Sequence, residues 1–238
     1  MKLDLLVLAS HPDDAELGCG ATIAKQVAMG RQVGIVDFTR GELGTRGTPE
    51  TRDQEAAASA QILGIAAREN LRFRDGFFEN DEKHRLALVQ VIRKFRPDIV
   101  IANAVYDRHP DHGRAAGLSY EALFLSGLPK IETTDKGVAQ RPWRPRLLFH
   151  YIQSQMIQPD FIVDVSSHWD KKMQAVRAYK SQFFDPNSNE PETYISSPLF
   201  MNMLEARGAE LGHAIGARYG EGFTARRTLG VDDPFTLL

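Results

Sequence analysis

Residues 3–16 read LDLLVLASHPDDAE, an apolar run followed at once by a histidine, a proline and three acidic side chains. A continuous apolar run with a polar cluster directly behind it predicts a buried strand, here Leu3–Ser10. A second strand-like run, Asp98–Asn103, precedes the cluster His109-Pro110-Asp111-His112. In open α/β sheets ligands bind outside the carboxyl ends of the strands, so the two clusters predict a site at that edge.

Strand-like and helix-like segments alternate along the chain. The predicted strands are 3–10, 33–39, 70–73, 98–103, 147–151 and 161–165. The predicted helices are 15–29, 49–63 with Thr48 as N-cap and Pro49 in the first turn, 81–95, one that begins near His112, 167–180 and 199–218. This alternation predicts βαβ units. We therefore expect an α/β, Rossmann-like fold: a mostly parallel sheet flanked by helices, with the active site at the carboxyl ends of the strands.

Composition narrows the class of protein. The chain has 238 residues, of which 42% are hydrophobic and 25% charged, and its net charge is −2. This length fits one domain, 1–238, and the charge argues against a nucleic-acid partner. Apolar runs of about 18 residues are missing, so no membrane partner is expected. Cys19 is the only cysteine, which excludes an intramolecular disulfide and predicts a cytoplasmic protein.

The two clusters together predict a metal site. A catalytic zinc ion commonly takes three His, Asp or Glu ligands and leaves a fourth position for water. Two simpler interpretations exist: a surface histidine after a strand, and Asp13 and Asp14 placed to favour the start of a helix. The coincidence of two such clusters favours the metal. Because cysteine ligands are lacking apart from Cys19, an open catalytic site fits better than a structural one, and ferrous iron would also suit these ligands.

These motifs resemble those of the LmbE-like (PIG-L) zinc-dependent de-N-acetylases. The resemblance includes the loop 39–42, Arg52 and the stretch 219–223, and it covers most of the chain. It implies removal of the acetyl group from an N-acetylglucosamine conjugate. The branch it resembles most is that of bacillithiol biosynthesis, which converts N-acetylglucosaminyl-malate to glucosaminyl-malate and acetate. It also implies a homo-oligomer, for example a hexamer.

The resemblance also implies roles for single residues. One zinc ion per chain would be held by three side chains: His11, Asp14 and His112. Asp13 would be the general base, His109 would assist at the oxyanion or the leaving group, and Asp111 would orient His109. Amide hydrolysis agrees with these roles, because it needs a group that takes a proton from water and delivers one to the departing amine. A carboxylate beside a histidine often fixes its tautomer.

Arg52 is the candidate substrate-binding residue. A cation in the first turn of a helix opposes the helix dipole, so helix stability alone does not explain an arginine at this position. We predict that its guanidinium binds a substrate carboxylate, such as that of malate, in bidentate fashion. The alternative is a surface arginine paired with Asp53 or Glu55. The Gly-rich loop 41–47 and the segment 184–198, which contains three prolines, are predicted to be loops near the site.

Other functions remain open at this point. The same chemistry would deacetylate a glucosaminyl-inositol or diacetylchitobiose. A nucleotide-binding module is a remote alternative, since His-Pro-Asp-Asp stands where a glycine fingerprint would follow the first strand. A metal phosphoesterase often uses two metals about 3.5–4 Å apart, whereas the two motifs supply ligands for one.

Overall fold

A computed structural model describes residues 1–237, with side chains described up to residue 235. Its strands are β1 (Leu5–Ala9), β2 (Val33–Asp37), β3 (Ala67–Asn70), β4 (Ile99–Ala102), β5 (Thr134–Asp135), β6 (Val138–Ala139), β7 (Leu147–Tyr151), β8 (Phe161–Asp164) and β9 (Gly220–Ala225). Its α-helices are α1 (Asp14–Ala28), α2 (Pro49–Leu63), α3 (Glu82–Phe95), α4 (Pro110–Ser126), α5 (Trp169–Arg177) and α6 (Pro198–His213). Short 3₁₀ turns span Ser166–His168 and Pro234–Leu237.

Seven strands form one sheet in the order β3-β2-β1-β4-β7-β9-β8. The strands from β3 to β7 in this order are parallel, and β9 runs antiparallel to both β7 and β8. The remaining strands, β5 and β6, form a separate hairpin. The predicted α/β fold with a mostly parallel sheet is confirmed. Among the described helices, none combines the length and the apolar character needed to cross a membrane.

The central strand β1 is buried along its whole length. Leu6 and Leu8 point into a core formed with α3 and α4, and Leu5 and Val7 point into a second core formed with α1. A strand covered on both faces needs apolar side chains at successive positions. The continuous apolar run that begins the chain is therefore the signature of this central strand.

Helix α1 breaks at Cys19, where the backbone leaves helical geometry (φ −148°, ψ 25°). The carboxylate of Glu221, on β9, accepts hydrogen bonds from the backbone N–H groups of Ala21 (3.1 Å) and Thr22 (2.7 Å). Lys172 donates to the carbonyl of Leu17 and pairs with Glu221 at 2.7 Å. Glu221 of β9 and Lys172 of α5 thus satisfy the backbone groups that the break in α1 leaves free.

Several predicted boundaries are wrong. The third strand is Ala67–Asn70 rather than 70–73, because it is a polar edge strand whose Arg68 pairs inward with Asp37 and Glu16. The helix predicted over 167–180 is a 3₁₀ turn followed by α5, and the last helix ends at His213 rather than 218. Strand β9 carries two glycines and no alternating pattern, so it was not predicted. The single domain over 1–238 stays a prediction, and its last residue, Leu238, lies outside the described residues.

Candidate active site

The two polar clusters meet because their strands are neighbours. β1 and β4 are parallel and paired, with Leu5 opposite Ile99 and Val7 opposite Ile101. Their carboxyl ends therefore lie side by side, and α1 and α4 both begin at this edge of the sheet. From β1 the chain crosses to β2 on one side, while β4 lies on the other, so this is the point where ligands bind in open α/β sheets.

Three histidines lie together at this edge. Nitrogen atoms of His11, His109 and His112 all lie within 4.8 Å of one another. The ring centroids of His11 and His109 are 4.7 Å apart, and those of His109 and His112 are 5.1 Å apart. His11 and His112 are buried, whereas His109 is partly exposed. The structure therefore brings together the histidines of both motifs.

Asp14 lies between two of these histidines. Its Oδ2 is 3.3 Å from His11 Nδ1, and its Oδ1 is 3.2 Å from His112 Nε2. Gln153 donates to Oδ1 (2.5 Å) and Asn103 donates to Oδ2 (3.2 Å). Burial opposes ionisation of Asp14, but His112 and His11 outweigh it and hold the pKa of this carboxyl well below its usual range. The ionised carboxylate of Asp14 thus contacts both His11 and His112, so the three predicted ligands are adjacent.

Each of the two buried histidines is backed by further carboxylates. His112 Nδ1 lies 2.5 Å from Asp107 Oδ2. His11 Nε2 lies 3.0 Å from Asp75 Oδ1 and 3.3 Å from Asp111 Oδ2. Although burial lowers it, Asp14 and Asp107 raise the pKa of His112 to about 9. The pKa of His11 is also raised, because the carboxylates of Asp111, Asp14 and Asp75 accept hydrogen bonds from its ring, and these outweigh its burial.

This donor set suits a divalent cation. Imidazole nitrogens and a carboxylate oxygen are common zinc ligands, and carboxylates that orient the outer nitrogen of a ligating histidine are typical of such sites. The buried carboxylates raise the pKa values of His11 and His112, so they favour positive charge at this point. A metal ion supplies that charge without protonating the histidines.

Besides the three histidines, a second group of side chains is close enough to hold a metal ion: His11, Asp75 and Asp111. The carboxylates in it already accept hydrogen bonds from Leu43 N (3.0 Å) and Gly76 N (2.9 Å), and Asp111 also pairs with Arg114. We therefore assign Asp75 and Asp111 to orienting His11. The predicted contact of the Asp111 carboxylate with His109 is corrected accordingly, because that carboxylate faces His11 instead.

His109 is the N-cap of α4, and its Nδ1 accepts a hydrogen bond from the backbone N–H of Asp111 at 3.2 Å. Burial lowers the pKa of His109, and the neighbouring His11 and His112 lower it further. A neutral ring whose Nδ1 accepts carries its proton on Nε2. His109 also lines the cleft, so in this tautomer its Nε2–H can donate a hydrogen bond. Its assisting role stays a prediction.

Asp13 is a buried carboxyl in an unusual backbone conformation (φ 115°, ψ −27°). Non-glycine residues with positive φ are uncommon and often lie at functional sites. Burial raises the pKa of Asp13 to about 7, with Arg52 opposing the rise and Asp14 adding to it. A carboxyl group with a pKa near neutrality both accepts and returns protons efficiently.

Arg52 is buried, and its guanidinium contacts the carboxyl of Asp13. Its Nη2 donates to Asp13 Oδ2 at 3.0 Å and to the carbonyl of Pro12, and its Nη1 donates to Gln182 Oε1 at 2.9 Å. The alternative of a surface arginine paired with Asp53 or Glu55 is wrong, since Arg52 is only 4% exposed. Its predicted contact with a substrate carboxylate stays a prediction, because both terminal nitrogens have partners within the protein.

The three histidines, Asp13, Asp14 and Arg52 line a cleft of about 790 Å³, a size typical of small-molecule sites. Gly41 and Gly44 of the Gly-rich loop form part of its wall, and Ile195 of the segment 184–198 forms another part. The segment and the loop are joined by an ion pair between Arg46 and Glu190 (3.2 Å). Arg108 lies in the cleft wall, exposed to solvent, and its guanidinium stacks on Tyr194 at 4.4 Å.

Sequence reasoning missed the residues that support the cluster. Asp107 lies two residues before His109 in the same loop, so its proximity to the motif was a usable signal. Gln153 follows β7, a neighbour of β4, and so lies at the same edge of the sheet. Asp75 and Gln182 come from loops without a motif. Only the folded chain reveals them.

Comparison with known proteins places the chain in a family. The PIG-L family, described as GlcNAc-PI de-N-acetylase, matches residues 6–123. A diacetylchitobiose deacetylase of Thermococcus kodakarensis is 32% identical over 229 residues, covering 92% of this chain and 81% of that protein. The chain belongs to the PIG-L family. The family and the hydrolase class predicted from the sequence, deacetylases, are thereby confirmed.

Solved structures agree with this assignment. A conserved protein of Thermus thermophilus is 39% identical, with a TM-score of 0.85 over 97% of this chain and 98% of that one. The N,N'-diacetylchitobiose deacetylase of Pyrococcus horikoshii, in complex with an inhibitor, is 30% identical. Its TM-score is 0.80, over 98% of this chain and 87% of that chain.

The contact between Asp107 and His112 leads to a testable prediction. Asp107→Asn removes the negative charge that orients His112, and such changes typically weaken metal binding about 10- to 100-fold. Competition of the purified protein with a chromogenic zinc chelator measures this loss directly.

Asp81→Asn is the matched control, because Asp81 makes a similar contact with His84 (2.7 Å) in α3, away from the cleft. We expect it to leave zinc affinity unchanged. Equal zinc affinity in Asp107→Asn and the unmodified protein would contradict the proposed contribution of Asp107.

Proposed function

We propose that this PIG-L family protein hydrolyses the N-acetyl group of an N-acetylglucosamine conjugate, using one zinc ion per chain. The observation that carries the proposal is the position of Asp13. This carboxyl, with a pKa raised to about 7, borders the same cleft as the cluster of His11, Asp14 and His112. A base beside a metal site in a small-molecule cleft is what amide hydrolysis requires.

The proposed zinc ligands are His11, Asp14 and His112, supported by their mutual contacts of 3.2–3.3 Å through the carboxylate of Asp14. When bound, zinc supplies a Lewis acid that polarises the amide carbonyl and makes a nearby water molecule more acidic. Asp107, Asp75 and Asp111 keep the two histidine rings in position for this role.

Asp13 acts on the protons of the reaction. It takes a proton from the attacking water as the water oxygen bonds to the acetyl carbon. It then delivers that proton to the sugar nitrogen as the C–N bond breaks, which gives acetic acid and the free amine. The proton of the acid then passes to the amine or to solvent, so that acetate leaves. His109 donates a hydrogen bond from Nε2 to the carbonyl oxygen as negative charge develops there. Groups of this kind each contribute about 10²- to 10⁴-fold to the rate.

The identity of the aglycone is the finer part of the proposal. Similarity to the diacetylchitobiose deacetylases of Thermococcus and Pyrococcus supports a neutral N-acetylglucosamine disaccharide as the substrate of this protein. Arg108 favours an acidic conjugate such as N-acetylglucosaminyl-malate, because its guanidinium lines the cleft and, among the described residues, pairs with no carboxylate. The relatives support the disaccharide more directly.

The cytoplasmic location and the homo-oligomer stay predictions.

Acetate release from a panel of substrates tests this function. The panel contains diacetylchitobiose, N-acetylglucosaminyl-malate and N-acetylglucosaminyl-inositol, each with and without a chelator. We expect release that chelation abolishes and added zinc restores. Absence of acetate from every substrate by the zinc-loaded protein would refute the proposal.

Replacing the proposed base separates catalysis from metal binding. Asp13→Asn removes the proton acceptor and leaves the three proposed ligands unchanged. We expect turnover to fall about 10²- to 10⁴-fold, the usual contribution of a general base, with zinc content near one ion per chain. Zinc content by elemental analysis and acetate release measure the two effects. Loss of zinc together with activity would contradict the assignment of Asp13 as base.

Replacing Arg108 distinguishes the two aglycones. Arg108→Gln removes a charge-assisted hydrogen bond, so KM for the malate conjugate should rise about 10-fold or more. KM for diacetylchitobiose should stay within about twofold. Arg144→Gln is the control, since Arg144 also stacks on an aromatic ring (Phe124, 4.7 Å) but does not line the cleft. Equal KM changes on both substrates would argue against recognition of an acidic aglycone by Arg108.

A further inference from the structure

Gln182 is a buried amide in the cleft wall, four residues beyond the C-cap of α5. It is 6% exposed, and both of its polar atoms have partners. Oε1 accepts from Arg52 Nη1 at 2.9 Å, and Nε2 donates to the carbonyl of Arg46 and to Ser181 Oγ, both at 2.9 Å. A guanidinium only donates and a carbonyl only accepts, so the amide has a single possible orientation.

The contact with Gln182 fixes one corner of the Arg52 guanidinium. The other terminal nitrogen, Nη2, is held by the carbonyl of Pro12 and by Asp13 Oδ2. Gly41 closes the remaining side: a Cβ at this position would lie 2.8 Å from Arg52 Nη1. Because the guanidinium is planar and rigid, holding both terminal nitrogens fixes its plane. Gln182, together with Pro12 and Gly41, therefore sets the direction from which the guanidinium approaches Asp13.

Asp13 in turn is held through Oδ2. A bond to one carboxylate oxygen restricts rotation of the group and leaves Oδ1 as the oxygen for proton transfer. Proton transfer in an active site depends on geometry at the level of tenths of an ångström to one ångström. A side chain that holds Arg52 in place thus influences the reaction without touching the substrate.

We propose that Gln182 is a positioning residue for the general base, acting on Asp13 through Arg52. The proposal rests on the hydrolase function given above. Gln182 also binds the carbonyl of Arg46, so the same amide ties the Gly-rich loop to the arginine that holds the base. None of these contacts involves a predicted metal ligand, which separates this role from zinc binding.

A double-mutant cycle tests the proposal with the zinc-loaded protein. The variants are Gln182→Met, which keeps the size of the side chain, Arg52→Ala, and the combination of both. We expect Gln182→Met to lower kcat about tenfold with KM within about twofold. We expect the combined variant to be no slower than Arg52→Ala by more than about twofold, because Gln182 acts through Arg52.

Gln140→Met is the matched control, since Gln140 also donates to a backbone carbonyl (Gln90 O, 2.9 Å) but lies outside the cleft. It should leave kcat unchanged. Losses that multiply in the combined variant would overturn the proposal, and so would an unchanged kcat in Gln182→Met or a change confined to KM.

A second measurement needs no turnover, so it distinguishes failure of this proposal from failure of the proposed function. Nitrogen NMR follows rotation of the Arg52 guanidinium about its Nε–Cζ bond, with the signal assigned by its loss in Arg52→Ala. In the unmodified protein this rotation should be slow, and in Gln182→Met it should be at least several times faster. Equal rotation rates in the two proteins would overturn the proposal even if the enzyme deacetylates as expected.

Discussion

The ionised carboxylate of Asp14 is the constraint on which the site depends. It is buried, and four elements supply the groups that stabilise it: His11 after β1, Asn103 after β4, His112 in α4 and Gln153 after β7. A buried charge without such partners costs several kcal/mol. The ends of the three strands and the start of α4 must therefore come together in one arrangement. That arrangement also places the histidines around a common point.

The acidic residues of the first motif have separate environments. Asp14 faces the histidines, and Asp13 faces the cleft with Arg52 beside it. Glu16, two residues beyond Asp14, is buried, and it pairs with Arg68 (2.6 Å) and accepts from Ser59 (2.6 Å). The pKa of Glu16 is lowered, because Arg68 and Ser59 outweigh its burial. Of three carboxyl groups within four residues, Asp14 thus balances charge at the cluster, Glu16 anchors β3, and Asp13 is the proposed base.

Much of this arrangement was predictable because it follows from local patterns. The apolar run of β1 identifies the central strand, and Thr48 with Pro49 identifies the start of α2. The two motifs identify the histidines and Asp13. What the sequence does not contain is the direction of each side chain. The Asp111 carboxylate was expected to contact His109 but contacts His11, and the local pattern around Arg52 does not predict its contacts with Asp13 and Gln182. Both outcomes depend on contacts between segments far apart in the chain, for which no local signal exists.

The break in α1 has a consequence for how the protein matures. The helix that carries the first motif is completed by Glu221, 200 positions further along the chain. Chains emerge from the ribosome starting at the N-terminus, and contacts between distant positions form late because loop closure is costly. The first βα unit is therefore made before Glu221 and cannot reach its final form until Glu221 has been synthesised. During that interval the nascent protein carries both motifs, while the helix that follows the first of them still lacks the partners of its break.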